Sequence, residues 1–151
     1  MGYTIEKQDV EGLSDDQQVA ILESLVLALA ADRKTSPAET GELEAQLNAV
    51  PWTMQPPQVI EHLLEVRTRV LALPPAEAAA LIDRIAERLP APALREKLFH
   101  AMASIMAADH QMSVDERAVL ARYTKAFGLT VEQIEAIKAD VKSRSPAPPS
   151  A

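Results

Sequence analysis

The chain has 151 residues, which suits one domain with a sizeable core and leaves little room for a second. It is 48% apolar but only 3% aromatic, with four glycines and many Ala and Leu, a mixture that favours helix over sheet. The absence of cysteine excludes disulfides, thiolate zinc sites and a thiol nucleophile, and a net charge of -7 speaks against sequence-independent nucleic-acid binding and a polybasic membrane anchor.

Residues 1–13 read as a polar N-terminal arm without the apolar run of a signal peptide. Ser14-Asp15-Asp16-Gln17 then has the S-x-x-Q form of a capping box and opens a helix over 14–31. Its apolar stretch from Val19 to Ala31 is too short to span about 30 Å of hydrocarbon, as is that from Leu98 to Ala108; both predict buried helices and no transmembrane segment. Glu23, inside the first of them, reads as facing solvent. Ser36-Pro37-Ala38-Glu39 repeats the capping box, with Pro37 at the first helical position, and starts a helix over 36–49. Pro56-Pro57, Pro74-Pro75 and Pro92 mark helices near 55–73, 75–89 and 92–109. The first of these carries an apolar stripe of Val59, Leu63, Val66, Val70 and Leu73, the second one of Ala78, Ile82, Ile85 and Leu89. Boxes at Ser113 and Thr130 open the last two helices, 113–127 and 130–142, the final stripe being Val131, Ile134 and Ile137 or Val141. Residues 143–151 have no apolar periodicity and read as a flexible tail. The expected fold is therefore all-α, one bundle of about seven helices over 14–142.

The chain also aligns with itself. Ala31-Asp32, three residues, Ser36, two residues, Glu39 matches Ala108-Asp109 through Ser113 and Glu116 at an offset of 77, without a gap. The match extends from Ile21/Leu98 through Thr53/Thr130 to Ile60/Ile137, so each half holds a buried helix, a capping-box helix and a helix beginning at Thr. This predicts a two-fold pseudosymmetric bundle with halves near 14–73 and 92–142 and the first and fifth predicted helices paired at its centre. Capping explains Ser36, Glu39, Ser113 and Glu116. Asp32 and Asp109 are less easily explained, because each sits in the last turn of a helix, where the macrodipole disfavours a carboxylate. Either they accept hydrogen bonds from backbone N–H groups and close the turn, or a hard cation sits between Asp32 and Glu39 and between Asp109, Asp115 and Glu116. The spacing is not that of an EF-hand.

At this motif the chain resembles the TerB-like family, which includes tellurite-resistance TerB and the N-terminal domain of the DjlA co-chaperones. Ala108-Asp109, Ser113, Glu116, Leu120 and Phe127-Gly128-Leu129-Thr130 carry the likeness most closely; Ala31-Asp32, Ser36, Glu39 and Leu43 carry it more loosely, with Trp52-Thr53 in place of the second turn. The resemblance spans nearly the whole chain. It implies an all-helical fold of about seven helices, an association with stress and tellurium-oxyanion resistance, and an acidic surface linked to divalent metal. Arg33 and His110 stand where the family usually has Gly, which alters the turn.

The remaining residues point away from catalysis. His62, His100 and His110 form no ligand pair on one helix face, and His100 reads as a satisfied core or interface histidine. Met102, Met106 and Met112 read as core fillers and Trp52 as a core plug. Nucleophile elbow, P-loop and G-x-G-x-x-G motifs are all missing. The expectation is a cytoplasmic, non-enzymatic interaction module that docks a protein partner and no nucleic acid, with a homodimer left open. The alternative is a divalent-metal domain using Asp32, Glu39, Asp109, Asp115 and Glu116 to hold Ca, Mg, Mn or Zn, with no other cofactor.

Overall fold

Two helices carry the core because their apolar residues run almost all the way round. In α2 (Asp15–Ala30) every residue from Ala20 to Leu29 is buried, and in α6 (Pro92–Met106) so are Leu94 and Leu98 through Ala103, Ile105 and Met106. They pack on each other, as expected of the first and fifth predicted helices. The computed structural model describes residues 2–31, 36–108 and 112–144; among these there are eight helices and no strand. Around the central pair lie α3 (Pro37–Ala49), α4 (Pro56–Leu71), α5 (Pro75–Arg88), α7 (Val114–Phe127) and α8 (Val131–Arg144). The four-residue α1 (Lys7–Val10) is the one helix the sequence reading did not include.

The segment read as an arm is thus tied to the bundle. Ile5 and Val10 are buried, and Asp9 meets Lys97 of α6 at 2.6 Å. Four residues are too few to show a helical period, so α1 left no signal in the pattern. The tail expected over 143–151 begins inside α8, which runs to Arg144; residues 145–151 lie outside the described ones.

Each outer helix turns its apolar stripe inward. Val66 and Val70 of α4, Ile82, Ile85 and Leu89 at α5, and Ile137 and Val141 of α8 are buried, each such side chain contributing about 1.5–3 kcal/mol. Val131 departs from its predicted stripe: it is 70% exposed, since it is the first residue of α8 and projects beyond the packed face. Glu23 is also misplaced by the sequence reading, because it is 3% exposed rather than facing solvent. The reason is the depth of α2, which has neighbours on all sides in α3, α4, α5 and α6. Helix α4 starts where Pro56-Pro57 marks it, and the third correction falls only on the repeat, which has a helix beginning at Thr53. Thr53 does not open it; Gln55 is the N-cap, Pro56 follows, and Thr53 instead exchanges hydrogen bonds with the buried Gln18 (Gln18 Nε2 to Thr53 Oγ1, 2.5 Å; Thr53 N to Gln18 Oε1, 3.0 Å).

Helix ends are closed by local chemistry. The capping boxes at Ser14, Ser36, Ser113 and Thr130 all form, each with its two reciprocal backbone contacts. Gly128, at φ 68°, ends α7 in the left-handed conformation that a residue without Cβ adopts freely. Arg95 serves two helix ends at once: it donates to the carbonyls of Leu89 and Ala86 at the end of α5 (2.5 and 2.6 Å) and to that of Phe127 at the end of α7 (3.2 Å).

Candidate functional site

The repeated motif places its two glutamates at the N-termini of α3 and α7. In the first copy Ser36 Oγ accepts from Glu39 N at 3.1 Å, while Glu39 Oε1 accepts from Ser36 N and Oγ at 3.2 Å. In the second, Ser113 Oγ accepts from Glu116 N at 3.1 Å and Glu116 Oε1 from Ser113 N at 2.9 Å. Both glutamates are fully buried, which is unusual for a cap and follows from the burial of the helix starts against the core. In Glu39, Oε1 is engaged, while Oε2 is buried and meets no hydrogen-bond donor among the described residues. Asp115 is exposed in the first turn of α7. Asp32 and Asp109, with Arg33 and His110, lie outside the described residues, so the turn closure or cation assigned to them lies there too. Among the described residues no three His, Asp or Glu side chains are grouped as metal ligands. Glu39 and Asp115/Glu116 stand on separate helices, as the two-site reading has them.

Two polar clusters beside this motif were not assembled from the sequence. On α2, Glu23 is held between Arg69 of α4, whose Nη1 lies 2.7 Å from Oε2, and Arg88 of α5, whose Nη2 donates to Oε1. Arg69 also pairs with Glu65 one turn earlier at 2.8 Å. The hydrogen bonds to Glu65 and Glu23 raise the Arg69 pKa further, and Arg69 holds the Glu65 carboxyl below its ordinary value. A buried carboxylate needs such partners, and the two arginines bring two outer helices to α2. One signal was available: a lone carboxylate amid Ala, Ile, Leu and Val must find a cation if it is buried.

On α6, His100 occupies the wall of a cleft of about 400 Å³ between α3, α6 and α8. Its Nε2 lies 2.6 Å from Asp140 Oδ2, and Arg144 Nε reaches the same oxygen at 2.8 Å. The ring of Tyr3 stacks on the imidazole at 4.5 Å and 10°, bringing the N-terminal segment over the cluster. Burial lowers the His100 pKa below its ordinary 6.5, and the hydrogen bond and charge of Asp140 only partly offset it. His100 is thus the satisfied core histidine that the sequence suggested. Ser104 is not its nucleophilic partner, since Ser104 Oγ donates to the His100 carbonyl at 2.9 Å.

A third polar contact joins the halves: Tyr123 of α7 donates to Ser24 Oγ of α2 at 2.8 Å, and burial raises the Tyr123 pKa. The family model described as tellurite resistance protein TerB matches residues 18–139, which include α6, α2 from Gln18 onward and both copies of the motif. No curated protein and no solved structure matches the chain. The chain belongs to the TerB family.

Proposed function

Starting from that membership, we propose that this TerB-family chain is a non-enzymatic helical module that docks a protein partner in a cytoplasmic response to tellurite or a related stress. The family match over residues 18–139 is the observation that carries the reading. Two features support it. A net charge of -7 favours basic partners and opposes nucleic acid. The polar clusters described above are engaged in ion pairs and hydrogen bonds that hold helices together, which is a structural use. The test is a pull-down from lysate of tellurite-treated cells, with an unrelated helical protein of equal charge as control. A specific protein retained by this chain is the expected result, and none retained overturns the reading.

A second reading, a divalent-cation site at the motif, is favoured by one observation. Glu39 Oε2 is buried without a hydrogen-bond donor among the described residues, a costly arrangement that a bound cation relieves. In this reading Asp32 joins Glu39, and Asp109 and Asp115 join Glu116. Calorimetric titration with Ca²⁺, Mg²⁺, Mn²⁺ and Zn²⁺ tests it; no heat and no melting shift at about 1 mM metal sinks it.

A further inference from the structure

Helix α5 has a seat in the first half whose counterpart in the second half is a cleft. It packs on α2 and α7, and two of its polar side chains reach them: Arg88 meets Glu23 of α2, and Asp83 meets Arg122 of α7. The 77-residue offset carries Glu23 to His100 and carries Arg122 back to Ala45. Both of those residues line the cleft of about 400 Å³ between α3, α6 and α8. Burial follows the same offset where α3 and α7 begin: Glu39 and Glu116 are both buried, as are Leu43 and Leu120. Among the described residues no helix takes the position of α5 in the second half. There α2 is followed by α3, α4 and α5, whereas α6 is followed by α7 and α8.

We propose that this cleft docks an amphipathic, basic helix of a partner protein, seated on α3 and α6 as α5 is seated on α2 and α7. The site rests on the partner-docking function proposed above and gives it a place and a ligand chemistry. The walls suit a helix. Ala38, Gly41 and Ala45 are exposed at three- and four-residue steps on one face of α3, and Ala108 lies on the α6 side. Side chains this small let a second helix come close and leave room for its apolar anchors. The stripe required is the one α5 buries in its own seat, Leu81, Ile82 and Ile85. One charge differs. Where α7 offers Arg122 to Asp83, the α3 wall offers Glu42, which is half-buried, accepts from Gln46 Nε2 at 2.9 Å and meets no cation among the described residues. Arg144 on the α8 wall is already paired with Asp140. A guest helix that carries Lys or Arg where α5 carries Asp83 supplies the missing partner of Glu42.

The probe is a helix-stabilised synthetic peptide with the sequence of residues 74–89 and the change Asp83→Lys, added to the isotope-labelled full chain and followed by NMR. Amide shifts at Gly41, Ala45 and Ser104 are expected, saturating with a Kd on the order of 100 µM. The unchanged 74–89 peptide should bind about tenfold more weakly, and Glu42→Gln in the chain should remove that preference. Gly41→Leu places a side chain in the cleft from a position whose Cβ meets nothing within 4 Å. This variant is expected to melt no lower than wild type and to weaken the Lys peptide at least about tenfold. Absence of shifts at about 1 mM peptide overturns the proposal, as do shifts confined to other surfaces such as Ile60 and Leu64 of α4. Equal binding of the two peptides, or undiminished binding to Gly41→Leu, overturns it as well. A lysate partner retained equally by wild type and Gly41→Leu leaves the docking function standing and overturns this site.

Discussion

The two halves of the molecule solve the same problem with opposite charges. Glu23 on α2 and His100 on α6 are 77 residues apart, the spacing of the repeat, and each is an ionisable side chain buried on a central helix. In the first half the carboxylate is inside and arginines come to it from α4 and α5. In the second the imidazole is inside and the carboxylate of Asp140 comes from α8. Burial lowers the His100 pKa below its ordinary value. The bundle is thus held at one point by a buried carboxylate between two arginines and at another by a buried imidazole against a carboxylate.

The sharpest way to break this comparison is to remove the charge at the first of these points. Glu23→Gln leaves Arg69 and Arg88 facing a neutral group, and urea unfolding should show a loss of about 3 kcal/mol. An unchanged midpoint would mean that the two arginines find water instead, and that Glu23 does not hold the helices together.

The motif aspartates come next. Asp109→Asn should lower stability by about 1–2 kcal/mol at neutral pH if the carboxylate closes its turn, with chelator making no difference. If a cation is held, the loss should appear only in the absence of chelator. Melting curves of wild type and variant in both conditions separate the cases.

Smaller effects sharpen the comparison between the halves. Ser36→Ala and Ser113→Ala each remove a cap that accepts one backbone N–H, so each should cost about 1 kcal/mol by denaturant titration. Unequal losses would show that the two caps do not hold their helix starts equally. Gly128→Ala, forcing a Cβ into the left-handed region, should cost about 1 kcal/mol. No cost is expected of that kind at the end of α3, where Val50 is extended.

The last prediction concerns pH. The folded-state pKa of His100 lies below its unfolded value, so the neutral form stabilises the fold. That contribution is complete above about pH 6.5 and is lost as the pH falls from there toward the folded value. His100→Gln should flatten stability over this range, as chemical denaturation at a series of pH values will show. A stability profile identical to wild type would assign the titration elsewhere.

The parts of the fold legible in the sequence are those with local punctuation. Capping boxes and prolines marked the starts of α2 through α8 because each acts within three or four residues of its own chain. Burial of α2 and α6 was legible from their near-continuous apolar runs. What escaped depended on partners distant in sequence. Thr53 resembles Thr130 as a helix start, yet Gln18, 35 residues away, draws it into a different bond. Glu23 looked solvent-facing because Arg69 and Arg88 are 46 and 65 residues further on. At the candidate site, the spacing Ser-x-x-Glu foretold the caps but not the complete burial of Glu39 and Glu116, which comes from packing around the helix ends.

Arg95 has a consequence for how the molecule opens. Its guanidinium holds the last carbonyls of α5 and α7 together and lies 5.4 Å from the centre of the Phe127 ring. Helix ends ordinarily fray one by one, each on its own schedule. Here one side chain of α6 spans both, so unravelling the last turn of either helix releases a ligand of the same cation. The two ends are thereby linked into a single unit of local unfolding, and amide protons there should exchange with solvent at a shared rate that Arg95→Lys uncouples.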